Sequence, residues 1–175
     1  NKINEYYTDY TACAGRSSHR LATKVETEVS KSRNEIKSFI NARSSAEIIF
    51  TRNTTEGINL VSNSIGLKSG DEVIISDKEH NSNLLPWLKL KKNGIKVIIV
   101  ESNPENTFNI ENFEKSFTPK TKLVSIVHTS NLDGVTNPIK EISKITHDNN
   151  SLILVDAAQS APHMEIDVKK LNLDF

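Results

Sequence analysis

The chain has 175 residues, a length that suits one domain with a sizeable buried core. Its 22 Lys and Arg balance its 22 Asp and Glu, so charge points neither to nucleic acid nor to an anionic membrane as a partner. The apolar runs are strand-sized, and the single cysteine, Cys13, excludes an internal disulfide, which together predict a cytoplasmic protein.

The first forty residues contain a polar segment followed by one helical pattern. Residues 1–20 are polar with three tyrosines, and we expect them to form an irregular arm. Over residues 21–41 apolar side chains recur mostly on one helical face, which predicts an amphipathic helix. The chain opens on Asn1 rather than Met and stops at the strand-like letters LNLDF, so we expect it to be a piece of a longer protein.

From residue 47 onward short apolar runs alternate with helical patterns. The runs EIIF, EVIIS, IKVIIVE, KLVSIVH and SLILVD predict five strands. The stretches TTEGINLVSNSIG, NSNLLPWLKLKKNG, NIENFEKSF and NPIKEISKITHDNN predict helices, of which the first two end at Gly66 and Gly94. This alternation predicts an α/β fold with a mostly parallel sheet flanked by helices in three α/β/α layers.

Chemically active side chains follow the predicted strands at one end only. The letters TRNTTE, DKEHNSN, HTSNLDG and DAAQ come after four strands, whereas the opposite ends carry ordinary turns such as LKSGD and TPKTK. In parallel α/β sheets ligands bind outside the carboxyl ends of the strands. The asymmetry therefore predicts a site for a polar ligand at that edge.

Three of these segments suggest parts of one ligand. Thr54 or Thr55 can cap the next helix, whose free N–H groups suit a phosphate, although capping alone also explains the pair. Asp156 ends a buried strand and needs a cationic partner such as a protonated ring nitrogen, unless it only caps a helix. His80 can lay its ring on a planar group.

Together these features match the needs of pyridoxal 5′-phosphate, which are a phosphate cradle, a ring stacker and an acid for a ring nitrogen. No GxxxxGK[ST] and no GxGxxG motif occurs in the sequence. A nucleoside triphosphate or a dinucleotide held in the usual way is therefore disfavoured.

Four segments carry a resemblance to a known family: FTRNTTEGINLV, EHNSNLLPW, HTSNLDGVTNPI and VDAAQSAPHMEIDV. In this order and spacing they resemble the N-terminal part of a cysteine desulfurase, in the class V aminotransferase group of the pyridoxal-phosphate fold type I enzymes. The resemblance implies that residues 1–175 are an incomplete cofactor-binding large domain with residues 1–20 as its N-terminal arm.

The resemblance also implies roles for six cofactor-binding residues. Thr54 and Thr55 lie at the phosphate, His80 stacks on the pyridine ring, Asp156 pairs with the pyridinium nitrogen, Gln159 lies at the phenolic oxygen, and Asn131 lies beside the cofactor and the substrate carboxylate. The implied reaction converts L-cysteine to L-alanine and leaves the sulfur on an enzyme cysteine as a persulfide, for iron–sulfur clusters or thiolated products. It further implies a homodimer and a sulfur-acceptor protein, with no metal.

Two positions depart from the family pattern and leave the subgroup open. Asn81 follows His80 where relatives commonly carry a second histidine, and Asp133 precedes a glycine where an apolar residue is usual.

The family's cofactor lysine, acceptor cysteine and small C-terminal domain come after the stretch that this chain matches. Cys13, Lys169 and Lys170 do not match the acceptor cysteine or that lysine. We therefore expect the parent protein to be an enzyme and this chain by itself to be inactive.

Two alternatives remain open. The first is another class V enzyme: a selenocysteine lyase, an epimerase-like enzyme or an aminotransferase. An acceptor cysteine on a C-terminal loop of the parent would favour the desulfurase over these. The second is an inactive truncated module that serves as a scaffold, which retention of the cofactor would disfavour.

Overall fold

The computed structural model describes all 175 residues, which divide into two units, residues 1–49 and residues 50–175. The first unit contains α1 (Lys2–Asp9), α2 (Arg20–Phe39) and a short 3₁₀ helix (Ser45–Glu47). The helix predicted for residues 21–41 is confirmed by α2. None of the helices in the chain combines the length and the apolar character needed to cross a lipid bilayer.

Helix α1 shows that the irregular arm predicted for residues 1–20 is wrong over its first half. The Asn1 side chain caps the helix by accepting a hydrogen bond from the Ile3 N–H at 3.0 Å. The ring of Tyr6 packs edge-to-face on that of Tyr10, with centroids 5.6 Å apart. Ile3, Tyr6, Tyr7 and Tyr10 recur at helical spacing, so the signal for this short helix was present in the sequence.

The second unit has the predicted three-layer α/β/α architecture. Its elements in chain order are α3 (Thr54–Ser64), β1 (Glu72–Ser76), α4 (Asn81–Leu90) with a 3₁₀ turn (Lys91–Asn93), β2 (Lys96–Val100), α5 (Ile110–Lys115), β3 (Thr121–Val127), α6 (Ile139–Asp148), β4 (Leu152–Asp156) and α7 (Val168–Leu171). The four strands pair in parallel in the order β2-β1-β3-β4.

The strand predicted at EIIF, residues 47–50, is wrong. This run begins in the 3₁₀ helix and continues as irregular chain. Ile49 and Phe50 are 68% and 50% exposed, whereas a strand inside a parallel sheet is covered on both faces. Thr54 and Thr55 are therefore the first residues of α3, and no strand precedes this helix.

Side chains of the strands alternate between two apolar layers, as the pleat of a strand requires. One layer contains Ile74 and Val124 with Phe113 of α5 and Ile142 of α6. The other layer contains the following set from the strands and from α3 and α4: Val73, Ile75, Leu123, Leu154, Ile58 and Trp87. The sheet is thus fixed from both faces, and only its edges and ends are open to polar chemistry.

Two glycines close helices as predicted. Gly66, after α3, and Gly94, after the 3₁₀ turn that follows α4, have left-handed φ angles of +75° and +82°. A Cβ at Gly94 would lie 2.3 Å from the Ser69 Oγ, so glycine is also required there by close packing.

The strand order places a crevice between β1 and β3. From β1 the chain adds β2 on one side, and it then crosses back to add β3 on the other side. Such a switch point leaves a gap outside the carboxyl ends of the two central strands, where α/β proteins bind ligands. The segments after Ser76, Val127 and Asp156 all lie at this end of the sheet.

Candidate functional site

A pocket of about 240 Å³ lies at the carboxyl ends of the strands. The six residues predicted to bind the cofactor all line it: Thr54, Thr55, His80, Asn131, Asp156 and Gln159. The predicted convergence of distant segments at one edge of the sheet is therefore confirmed. Which group each of the six residues binds stays a prediction.

The start of α3 forms one wall of the pocket, and its cap differs from the prediction. Asn53, not Thr54 or Thr55, is the N-cap: its side-chain oxygen accepts a hydrogen bond from the Glu56 N–H at 3.0 Å. Asparagine caps a helix at least as well as threonine, which explains the outcome. Capping therefore does not use the two threonine hydroxyls, and the first N–H groups of α3 lack partners within the helix.

A second helix begins at the same pocket. Its N-cap is His80, whose Nδ1 accepts a hydrogen bond from the Ser82 N–H at 3.1 Å. Because Nδ1 is an acceptor here, the neutral ring carries its proton on Nε2. The Ser82 hydroxyl also lies 2.7 Å from that of Thr55, which connects the starts of α3 and α4.

Asp156 is the buried acid of the pocket, with only 5% of its surface exposed. Its Oδ1 accepts a hydrogen bond from the Ala158 N–H at 3.0 Å, while its second oxygen accepts no hydrogen bond from the chain. The residues that follow form turns, so the alternative that Asp156 only caps a helix is wrong. A buried carboxylate with a free oxygen favours a cationic partner.

Three residues of the lining that carry polar side chains were not singled out from the sequence: Asn53, Ser82 and Thr129. Asn53 is the N-cap of α3, and Ser82 is the second residue of α4, so both lie close to predicted site residues. A search for side chains near each helix N-terminus would have found both. Thr129 pairs with Thr136 through an isolated antiparallel bridge, which no local pattern indicates.

The turn that carries Asn131 is attached to the loop after β1 by an ion pair. Lys78 Nζ lies 3.1 Å from Asp133 Oδ2 and also donates to the Asn106 side chain at 2.8 Å. Two contacts lower the pKa of the Asp133 carboxyl: the hydrogen bond from the Val135 N–H has the larger effect, and the contact with Lys78 has the smaller one. Asp133, the departure from the family pattern, therefore points to Lys78 and does not line the pocket.

A doubly covered parallel sheet with a polar pocket at its switch point defines an α/β ligand-binding domain. The family described as "Aminotransferase class-V" matches residues 1–175, so the chain belongs to the class V aminotransferase family.

Curated relatives of the chain are named as cysteine desulfurases. A probable cysteine desulfurase of Halalkalibacterium halodurans is 44% identical over 177 residues, which cover 99% of this chain and 44% of that protein. One of Methanothermobacter thermautotrophicus is 39% identical, with 99% and 43% covered. The chain thus spans less than half the length of the curated relatives it matches.

Solved structures of similar proteins share the fold. The apo structure of a cysteine desulfurase from Thermococcus onnurineus superimposes with a TM-score of 0.90 at 40% identity, and the match covers 98% of this chain and 43% of that one. The structure described as SspA in complex with cysteine gives a TM-score of 0.91 at 26% identity, with 98% and 50% covered.

Proposed function

We propose that this chain is the N-terminal, coenzyme-binding part of the large domain of a pyridoxal-phosphate-dependent cysteine desulfurase. The observation that carries the proposal is the meeting, in one pocket, of a helix start that bears two threonines, an imidazole and a buried acid with a free oxygen. Membership of the class V aminotransferase family and relatives named cysteine desulfurase support it.

The donors of the pocket fit each part of pyridoxal 5′-phosphate. Thr54, Thr55 and the free N–H groups of α3 suit the phosphate, because a helix start carries partial positive charge. The free oxygen of Asp156 suits a protonated ring nitrogen. Such a pair also supplies the cationic partner that the buried acid lacks within the chain.

Each residue then has a distinct task. Asp156 would accept a hydrogen bond from the ring nitrogen and keep the proton there, while His80 would stack on the ring and exclude water. Gln159 would bind the phenolic oxygen, and Asn131 would orient the substrate carboxylate. When bound, the coenzyme supplies an electron sink for bonds at the substrate α-carbon.

The substrate that we propose is L-cysteine, because the relatives are named for its desulfuration and one similar structure is described as a complex with cysteine. The C–S bond of cysteine breaks, a proton takes the place of sulfur to give L-alanine, and the sulfur joins an enzyme thiolate as a persulfide. From there it passes to a sulfur-acceptor protein for iron–sulfur clusters in the cytoplasm. We also propose a homodimer.

No lysine is among the residues that line the pocket. The lysines of α7, Lys169 and Lys170, are exposed and lie outside the lining. We therefore propose that this chain by itself holds the coenzyme without covalent attachment and does not turn over cysteine. The lysine and the sulfur-accepting cysteine would come from the rest of the longer protein.

Product analysis tests the proposed activity. The full-length protein that carries this sequence is supplied with pyridoxal 5′-phosphate, L-cysteine and a thiol reductant, and alanine and sulfide are quantified. We expect the two products in a 1:1 ratio. In a parallel reaction without the reductant, we expect a labelled persulfide on one enzyme cysteine. Turnover of selenocysteine alone, or transfer of an amino group to a keto acid without sulfide, would favour another class V enzyme.

A further inference from the structure

Glu79 directly precedes the pocket residue His80 and is 9% exposed, yet it forms no ion pair. Its Oε1 accepts hydrogen bonds from the Ser76 hydroxyl at 2.5 Å and from the Val127 N–H at 3.0 Å. Its Oε2 accepts one from the Asn83 side chain at 2.6 Å. The carboxylate therefore connects the end of β1, the end of β3 and the first turn of α4.

The strand pairing explains why a carboxylate is needed at this point. The paired register of β1 and β3 ends at Ile75 and Ser125, whereas β3 continues to Val127. The Val127 N–H has no partner on β1 and is buried, and an unpaired buried N–H is strongly unfavourable. Glu79 supplies the missing acceptor and so continues the ladder with a side chain.

Further buried groups hold Asn83, and through it the Glu79 carboxylate, from the inner side. Asn83 uses its side-chain oxygen to accept from the Ser125 hydroxyl at 2.6 Å and from Trp87 Nε1 at 3.2 Å. All three residues are fully buried. Because every member has a partner, the network holds one arrangement instead of several.

Both ends of this network reach the pocket. His80 follows Glu79 directly in the chain, and Val127 lines the pocket and stands opposite Asp156 in the register of β3 and β4. Any shift of the Glu79 carboxylate therefore affects the start of α4, which His80 caps, and the end of β3, which pairs with Asp156 of β4.

Burial raises the pKa of Glu79 to about 7, and the charge of Asp156 acts in the same direction. The hydrogen bonds from Ser76, Val127 and Asn83 act against this rise. These three direct contacts are neutral. The titratable groups at this end of the adjoining elements are His80 at the start of α4, His128 after β3, Asp156 on β4, and Asp77 and Lys78 after β1.

We propose that Glu79 is a positioning residue of the pocket. Its carboxylate holds the start of α4 and the end of β1 against the end of β3, and it thereby fixes His80 relative to Asp156. The coenzyme measurement described below rests on the proposed function, whereas the measurements without coenzyme do not.

The test compares Glu79→Gln with Glu72→Gln. Glu72 is the matched control because it is also buried, at 5% exposure, and lies at the opposite end of β1, where it accepts a hydrogen bond from the Thr118 hydroxyl at 2.5 Å. In this chain without coenzyme, we expect Glu79→Gln to shift the imidazole NMR signals of His80 and the emission of Trp87, the single tryptophan. We expect Glu72→Gln to leave both signals in place.

The pH profile separates positioning from general destabilisation. In the unsubstituted chain the Trp87 emission should change through the titration of Glu79, and in Glu79→Gln this change should be lost. Ser76→Ala, which removes one donor but keeps the acid, serves as a second variant if Glu79→Gln fails to fold. It should displace the His80 signals in the same direction and retain the titration.

The coenzyme measurement uses the dissociation constant of pyridoxal 5′-phosphate. We expect Glu79→Gln to weaken binding about tenfold and Glu72→Gln to change it by less than about twofold. Unchanged His80 signals in both Glu79→Gln and Ser76→Ala, or an equal loss of affinity in Glu72→Gln, would overturn the proposal. If the unsubstituted chain binds no coenzyme, the proposed function fails, and the measurements without coenzyme still decide the role of Glu79.

Discussion

The two ends of the parallel sheet treat their polar residues differently. At the amino end, Glu72 is bonded to the Thr118 hydroxyl, and Ser151 donates to the Thr121 carbonyl at 3.0 Å, so buried polar groups pair with one another and hold turns together. At the carboxyl end, the side chains of Thr54, Asn131 and Gln159 and one oxygen of Asp156 have no hydrogen-bond partner in the chain, although all line one pocket. Polar groups that satisfy each other indicate structure, and convergent groups without partners indicate a ligand.

Two buried glutamates at the opposite ends of β1 differ in the same way. Glu72 is the first residue of β1, and Glu79 follows its last residue by three positions. Glu72 has Lys96 Nζ at 3.8 Å, which places a cation near its charge. Glu79 has only neutral donors, and the charged group that acts on it most is another acid, Asp156. At the carboxyl end, Glu79 and Asp156 are thus two buried acids without a cationic side chain paired to either, an arrangement that a bound cation or a proton would stabilise.

The largest expected effect that sharpens this comparison is the pH dependence of stability. The pKa of Glu79 is raised from 4.5 to about 7 in the folded chain, so the folded state binds this proton more tightly than the unfolded state. Its stabilising contribution is complete below pH 4.5 and is lost as the pH rises through 7. The unfolding free energy of the unsubstituted chain, relative to that of Glu79→Gln, should fall by about 3 kcal/mol over this window.

Urea denaturation of both proteins at a series of pH values measures this difference. A difference that stays constant from pH 4.5 to pH 8 would show that Glu79 titrates alike in the folded and unfolded states. It would contradict the claim that burial and the charge of Asp156 raise the pKa of Glu79.

The next largest effect is expected at Asp156. Asp156→Asn keeps the acceptor for the Ala158 N–H but removes the charge that faces the pocket. We expect the dissociation constant of pyridoxal 5′-phosphate to rise about a hundredfold, or about 2.7 kcal/mol, because a buried charge pair loses one partner. Fluorescence titration measures the change.

Asp167→Asn is the matched control for this substitution. Asp167 is also buried, at 8% exposure, but it caps α7 through the Lys169 and Lys170 N–H groups and does not line the pocket. Asparagine retains such a cap, so we expect coenzyme affinity to stay within about twofold. Equal losses in both variants would mean that Asp156 acts only through stability.

The smallest effect is expected at the ion pair between Lys78 and Asp133. Asp133→Asn should weaken coenzyme binding by about threefold, because a partly exposed pair contributes little and its effect on Asn131 is indirect. Asp148→Asn is the control, since Asp148 forms an exposed pair with Lys144 on α6, away from the pocket. A loss at Asp133 no greater than at Asp148, in the same titration, would remove any role for this pair in the site.

The sequence predicted the four real strands and the position of the site because both leave local marks. Each strand is a short apolar run, and the predicted pocket residues His80, Asn131 and Gln159 come within four residues after such a run. The EIIF prediction failed because the run has the composition of a strand, while whether Ile49 and Phe50 are covered is decided by distant parts of the chain.

The remaining site features depend on contacts that a local pattern does not contain. The cap of α3 was assigned to Thr54 or Thr55, one or two residues late, because Asn53 and both threonines are good capping residues and only the backbone geometry separates them. The Glu79 network joins residues 48 positions apart, so the burial of Glu79 could not be read from its charged surroundings in DKEHNSN.

The most direct test of a coenzyme site at the carboxyl end is a crystal structure of this chain with pyridoxamine 5′-phosphate, which forms no bond with surface lysines. We expect the phosphate at the start of α3 beside Thr54 and Thr55, and the ring nitrogen within hydrogen-bonding distance of the Asp156 carboxylate. A ligand bound elsewhere, or a ring nitrogen turned away from Asp156, would contradict the proposed site.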